Sequence, residues 1–208
     1  MPAPPESLLA RFGLNAFRPG QREVVAAALA GRDVLAVMPT GAGKSLGYQL
    51  PALAGGGLTV VVSPLLALMR DQVEVLRGRN VPAAALNSLQ GQDEQNRTLA
   101  GLGRLRLLYL SPERLGSQTV QEALLRVGVS RLVIDEAHCI SGWGHDFRPD
   151  YRQLGGVRRA LETPPVTALT ATATPAVQAD IVTLLGLRNP VRVRTGFDRP
   201  NLRYRVLP

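Results

Sequence analysis

The sequence predicts an α/β fold, a mostly parallel, doubly wound sheet with helices on both faces. Three observations carry that prediction. Short runs rich in Val and Leu alternate along the 208 residues with longer segments of helical period. The runs are apolar at successive positions, so both of their faces are buried, as in a parallel sheet covered on each side. The connecting segments are long enough to cross over the sheet, and such crossovers are right-handed.

In chain order the predicted strands are "VLAVM" (34–38), "LTVVVS" (58–63), "AAAL" (83–86), "LRLLYLS" (105–111), "RLVID" (131–135), "VTALT" (166–170) and "VRVRT" (191–195). The helical segments between them are 44–53, 65–78, 93–102, 119–128, 151–162 and 175–186. No repeat of fixed period and no low-complexity segment interrupts this alternation. After residue 195 the character changes. Pro200 breaks the pattern, and "LRYRVLP" reads as a strand.

Composition narrows the class. Hydrophobic residues make up 45% and charged residues 19%, which is the balance of a globular domain and excludes a disordered chain. A net charge of +8 favours a polyanionic partner, although an arginine-rich surface can also follow from codon bias. One cysteine, Cys139, excludes an internal disulfide, and no Cys/His cluster offers a closed zinc site. No apolar run approaches the ~18 residues of a membrane span. The opening "MPAPPESLLARF" lacks the order of a signal peptide. A soluble protein of a reducing compartment is expected.

Lys44 is the only lysine, all other basic side chains being arginine. It lies in "TGAGKS", between the strand at 34–38 and a helix expected to open near Lys44. That order suits a phosphate-binding loop. Thr40, Gly41, Ala42 and Gly43 can curl so that backbone N–H groups face phosphate oxygens. Lys44 is then a compact charge for the β- and γ-phosphates, and Ser45 offers a hydroxyl to Mg²⁺. A planar guanidinium does not substitute equivalently, which explains why the arginine bias stops there. Met38 stands where the long form of this motif has its first glycine. The competing reading is a glycine turn whose lysine falls there by chance.

A nucleotide site of this kind needs an acidic partner at the same sheet edge. "RLVIDEAH" delivers Asp135 and Glu136 at the end of a strand. Asp135 is positioned for Mg²⁺ and Glu136 for polarising an attacking water. Alone, such a pair can equally cap the following helix. The next stretch, "DEAHCISGWGHDFRPDY", holds both histidines, the cysteine and the only tryptophan. Trp143, Phe147 and Tyr151 are spaced by four, but Gly142, Gly144 and Pro149 argue for a loop. Aromatics beside His145 and Arg148 suit stacking on unstacked bases. The alternative is a loop pinned by its aromatics against the domain.

With these segments in view, the chain resembles the RecQ family of DNA helicases. "MPTGAGKSLGYQLPAL", "VVSPLLALMRDQV", "YLSPERL", "DEAHCISGWGHDFRPDY", "ALTATAT" and "FDRPN" are similar to that family's motifs in order, and "FGLNAFRPGQ" resembles its adenine-recognition motif. The similarity runs from about Leu8 to Tyr204. It implies a RecA-like P-loop NTPase domain that uses ATP and Mg²⁺ and acts on single-stranded and branched DNA. It further implies that Gln21, with Arg18, bonds adenine. His138 links the nucleotide site to Thr170 and Thr172, and Trp143, His145, Asp146, Phe147 and Arg148 sense single-stranded DNA. Ser63 and the Ser111–Pro112–Glu113 segment are expected along the DNA strand. Two departures stand out: Leu14 replaces an aromatic that stacks on adenine, and Gly142 replaces a glutamine of the loop.

The family's helicase core has two RecA-like domains with ATP between them. The resemblance therefore implies that residues 1–194 are the first and that 195–208 lead towards a second. Alone, the first is expected to hydrolyse ATP barely and unwind nothing. Such a protein is expected in the cytoplasm, associated with the nucleoid if bacterial. Two other classes stay in view. A DEAD-type RNA helicase domain is disfavoured by the aromatic loop after "DEAH". A non-catalytic module with a vestigial nucleotide site is disfavoured by the intact Lys44, Ser45, Asp135 and Glu136.

Overall fold

All seven predicted runs are strands of one sheet, and every strand pair in it is parallel. The structure is a computed structural model and describes residues 5–144 and 146–196. His145 and the predicted strand or linker from residue 197 onward lie outside the described residues. The strands are β1 (Val34–Val37), β2 (Leu58–Val62), β3 (Ala83–Leu86), β4 (Leu107–Leu110), β5 (Val129–Ile134), β6 (Val166–Thr170) and β7 (Val191–Arg194). Their spatial order is β3-β4-β2-β5-β6-β1-β7. β1, β2, β4 and β6 are buried at every position, as unbroken apolar runs require.

Nine α-helices cover the described sheet: α1 (Gln21–Leu29), α2 (Leu46–Ala54), α3 (Leu66–Gly78), α4 (Gln92–Ala100), α5 (Pro112–Leu115), α6 (Gln118–Val127), α7 (Pro149–Arg152), α8 (Leu154–Ala160) and α9 (Pro175–Leu184). Successive strand side chains point to opposite faces and so build two cores. On one face Val34, Ala36, Val61, Val133 and Leu169 pack with α1, α2, α3 and the 3₁₀ turn Pro5–Phe12. On the other, Leu35, Val60, Val62, Ile134 and Ala168 pack with α6, α8 and α9. The doubly wound expectation holds.

Two local expectations shift. The segment predicted as one helix over 151–162 is two, α7 and α8, divided at Gln153. The helix expected near Lys44 starts at Leu46, so the lysine stays in the loop. α1 has no counterpart in the predicted helices. It packs against α2, β1 and β7, and five of its nine residues are buried. Burial over that much of its surface blurs the one-sided stripe by which helices are read from sequence.

The order of strands positions the site. β5, β6 and β1 are neighbours, with Ile134 opposite Ala168 and Val37 opposite Thr170. The loop after β1, the acidic pair after β5 and the threonines after β6 therefore leave the sheet side by side at its carboxyl edge. In open α/β sheets, that edge is where ligands bind.

Candidate functional site

The loop after β1 is held by the segment that precedes α1. Gln21 donates through Nε2 to the carbonyls of Ala42 and Gly43, both at 3.0 Å, and its Oε1 accepts from Arg18 N at 2.8 Å. Arg18 Nη1 donates to the Gly41 carbonyl at 2.7 Å. Gly43 has φ of +76°, and a Cβ there would collide with the Gln21 amide. The positive φ favours glycine, and a side chain there would also push the Gln21 amide off the loop. Gln21 is buried, and the polar atoms expected to read adenine here face the phosphate loop. Lys44 Nζ donates to the Met38 carbonyl at 3.2 Å, folding back across the loop.

Opposite lie the two carboxylates. Ser63 Oγ donates to Asp135 Oδ2 at 3.4 Å, and Tyr151 donates its hydroxyl to the Asp135 carbonyl at 2.9 Å. Glu136 sits at φ 48°, ψ 46°, a left-handed conformation uncommon outside glycine. Non-glycine residues held in this region cluster at functional sites. Burial, with the neighbouring Glu136 carboxylate, pushes the Asp135 pKa up to about 6, while the Glu136 backbone, Lys44 and Ser63 pull the other way. Thr40, Gly41, Gly43, Lys44, Ser45, Ser63, Asp135 and Glu136 line one open cleft of about 290 Å³.

That shift sets a pH dependence. Asp135 holds its proton to higher pH in the folded chain than in the unfolded one, where carboxylates titrate near 4. Its contribution to stability is therefore lost as pH climbs from about 4 through about 6. Asp135→Asn is expected to leave stability at pH 4 nearly unchanged and to raise it at pH 8 by about 1–3 kcal/mol. Denaturant unfolding of both proteins at the two pH values checks this. A variant less stable than the parent at pH 8 would count against it.

His138 connects two of these elements. Its Nδ1 lies 2.9 Å from Thr170 Oγ1 and 3.4 Å from Glu136 Oε2. Thr170 Oγ1 spends its hydrogen on the Thr172 carbonyl at 3.0 Å, so the His138 ring donates from Nδ1. His138 and Thr170 are buried, whereas Thr172 is exposed and joins through its backbone. Ser63 and Ser111, expected along a DNA strand, are also buried, and Ser111 Oγ has no hydrogen-bond partner.

The aromatic loop is anchored at both ends, and Trp143 within it stands exposed. Ser141 Oγ donates to Asp180 of α9 at 2.6 Å, and Trp143 N donates to Ser141 Oγ at 3.1 Å. Gly144 packs so closely that a Cβ would lie 2.5 Å from the His138 carbonyl. Arg148 N donates to the Cys139 carbonyl at 2.9 Å. Trp143 is 81% exposed, so its indole is not what pins the loop. Phe147 is half-exposed beneath the Arg152 guanidinium, 5.1 Å from the ring centre. Tyr151, the third of the four-spaced aromatics, is fully buried in α7. Asp146 pairs with Arg148 at 3.2 Å.

Several cleft residues lie within the quoted motif segments but received no role from the sequence. Tyr48, Leu68, Met69, Gln72 and Tyr109 line the same cleft. The Tyr109 hydroxyl donates to Tyr48 at 3.4 Å, and burial pushes both phenols up, Tyr109 to about 12. Tyr48, Met69 and Tyr109 are also core residues of α2, α3 and β4, so their apolar character alone does not mark them as lining a site.

The pattern of the DEAD/DEAH box helicase family matches residues 18–181. The chain is 49% identical over 202 residues to a probable ATP-dependent DNA helicase RecS of Bacillus subtilis, covering 97% of this chain and 41% of that protein. It is 50% identical over 195 residues to an ATP-dependent DNA helicase RecQ of Haemophilus influenzae, covering 93% and 32%. It thus spans less than half the length of these curated relatives. In fold it is similar to a hypothetical ATP-dependent RNA helicase from Sulfolobus tokodaii, with a TM-score of 0.71 at 20% identity over 94% of this chain and 57% of that one.

Proposed function

The chain belongs to the DEAD/DEAH box helicase family, and from that premise we propose that it is the ATP-binding motor domain of a RecQ-like DNA helicase, coupling ATP hydrolysis to movement on single-stranded DNA and unwinding of duplex. The observation that carries the reading is the convergence of Lys44, Ser45, Asp135 and Glu136 on one cleft at the carboxyl edge of β1 and β5. The proposal assigns residues 1–194 to the motor domain and has 195–208 lead to a second RecA-like domain that closes over the cleft. Single-stranded and branched DNA are the polyanions that suit the +8 charge and the exposed Trp143 of the aromatic loop. Such a protein works in the cytoplasm, on the nucleoid if bacterial. Among the described residues no helix is long and apolar enough to cross a membrane.

The residues present fit a hard cation, since Ser45 and Asp135 offer oxygen donors beside Lys44. Mg²⁺, when bound with ATP, supplies positive charge to the β- and γ-phosphate oxygens. Lys44 leaves the Met38 carbonyl and donates to the same oxygens. Gly41 and Gly43 present their N–H groups, the Ala42 N–H closing the turn on the Pro39 carbonyl, while Gln21 and Arg18 hold the loop's carbonyls from behind. Contact of Gln21 with adenine would exchange one of the hydrogen bonds it makes to Arg18, Ala42 and Gly43. Glu136 polarises the attacking water. His138, which touches both Glu136 and Thr170, passes the state of the site to the threonine segment and the aromatic loop.

The test exploits composition. Lys44 is the only side-chain amine in the chain. An amine-reactive acyl phosphate analogue of ATP is expected to acylate it, and excess Mg-ATP is expected to protect it, read by peptide mass. Labelling that ATP does not suppress would remove Lys44 from the nucleotide site and the proposal with it.

A further inference from the structure

Beside the nucleotide cleft lies a second constellation, which shares His138 with the proposed function but adds two groups, Cys139 and Asp146, that the nucleotide site does not use. His138, Cys139 and Asp146 each present one ligand-type atom, and all of these lie within 4.8 Å of one another. Cys139 Sγ is 3.8 Å from His138 Nε2 and 3.8 Å from Asp146 Oδ2. Bonds of about 2.3 Å to sulfur and about 2.0 Å to nitrogen in a tetrahedral zinc site separate those two ligands by about 3.5 Å. Cys139 Sγ and His138 Nε2 therefore stand within a few tenths of an ångström of that spacing, and Asp146, all three atoms lying within 4.8 Å, closes on the same centre by a rotation of its exposed side chain.

We propose that His138 Nε2, Cys139 Sγ and Asp146 Oδ2 bind a thiophilic divalent cation of the zinc class, and that the bound ion clamps the aromatic loop to the end of β5. The donor set is soft, unlike the hydroxyl and carboxylate oxygens of the nucleotide cleft, so the two sites select different ions. Nε2 of His138 faces Cys139 Sγ, the neighbouring ligand. Its Nδ1 is turned to Thr170 and Glu136, the supporting bond that metal-bound histidines make. Thiolate and carboxylate together balance a divalent charge, and three protein ligands leave a fourth position for water.

Binding carries a defined exchange. Burial, with Asp146 nearby, pushes the Cys139 thiol up to about 12, so it is protonated at neutral pH. Formation of the metal–sulfur bond therefore breaks the S–H bond and releases that proton to solvent. Asp146 Oδ2 is also the oxygen that holds Arg148. The ion takes over this oxygen and frees the Arg148 guanidinium, while Asp146 becomes fixed seven residues from Cys139 across the loop. Entry is from the side of Asp146, which is exposed, whereas Cys139 and His138 are buried.

The chain carries its own probes, because Cys139 is the only thiol and Trp143, within the loop, the only indole. The experiment is titration of the full chain with Co²⁺ at mildly alkaline pH, followed by competition with Zn²⁺. The expected result is a thiolate-to-cobalt charge-transfer band that Zn²⁺ abolishes, with a parallel change in Trp143 fluorescence. Cys139→Ala, checked for native circular dichroism, is expected to lose both signals. Asp146→Asn alters an exposed side chain and is expected to weaken Co²⁺ binding at least about tenfold. Absence of the band in the folded parent, a fluorescence change that persists in Cys139→Ala, or unchanged affinity in Asp146→Asn would each overturn the proposal. None of these readouts requires nucleotide, so they stand apart from the test of the ATP site.

Discussion

Replacing Asp33 with alanine is expected to cost about 3–5 kcal/mol, a large part of the roughly 5–15 kcal/mol that holds a domain together. Asp33 lies just before β1 at the amino edge of the sheet, opposite the nucleotide cleft. Both of its carboxylate oxygens lie 2.9 Å from Arg158 Nη2 of α8. Oδ1 also accepts from Val166 N at 2.7 Å, and Oδ2 from Arg188 N at 2.6 Å. Arg158 donates its remaining N–H groups to the carbonyls of Pro164, Leu185 and Gly186. The pair thus ties together the starts of β6, β1 and β7, and both side chains are 4% exposed. Alanine at 33 strands a buried guanidinium and orphans two backbone N–H groups.

The distinguishing comparison is the pair removed as a whole. Asp33→Leu with Arg158→Leu is expected to be less damaging than Asp33→Ala, because no uncompensated charge stays buried. Denaturant midpoints measure both. A loss under about 1 kcal/mol for Asp33→Ala would show that water reaches Arg158 and relieves it. Nucleotide affinity of the folded variants is expected to be unchanged, since the network lies at the far end of the strands.

Lys44→Ala is expected to lower Mg-ATP affinity by about 10–100-fold, the worth of charge-assisted hydrogen bonds of about 1.5–3 kcal/mol to phosphate. Lys44→Arg is expected to recover little of it. A planar fork does not take the place of a compact ammonium at a phosphate cradle. Stability is expected to change little in either variant, because Nζ has one hydrogen bond, to the Met38 carbonyl. Titration with a fluorescent ATP analogue and thermal melts of the same samples separate the two effects. Full affinity in Lys44→Arg would reduce the lysine to a generic positive charge.

How much of this was legible in the residues differs from element to element. The central strands could be read because a strand buried on both faces is an unbroken apolar run, a signal contained in a few neighbouring positions, whereas the edge strand β7 shows instead the Val/Arg alternation of a strand with one exposed face. The phosphate loop and the acidic pair could be read because each is a short chemical pattern at the end of such a run. α1 could not, because burial on several sides erases helical periodicity. The aromatic spacing of four misled in part. Trp143 and Phe147 lie on the loop, while Tyr151 starts afresh in α7 after Pro149 and turns into the core.

By itself the sequence determined the α/β class, the strands, the polarity of the sheet and the chemical identity of the groups at its carboxyl edge. The tertiary structure alone decided which of them meet. Asp33 finds Arg158 across 125 residues, and Gln21 finds the phosphate loop across more than twenty. β1 lies between β6 and β7 although it precedes both in the chain by over a hundred residues. The physical reason is range. Periodicity, turn chemistry and loop motifs are local properties of a few adjacent residues. Strand order and buried polar partners depend on which faces pack once the whole sheet is assembled, and no local pattern encodes that.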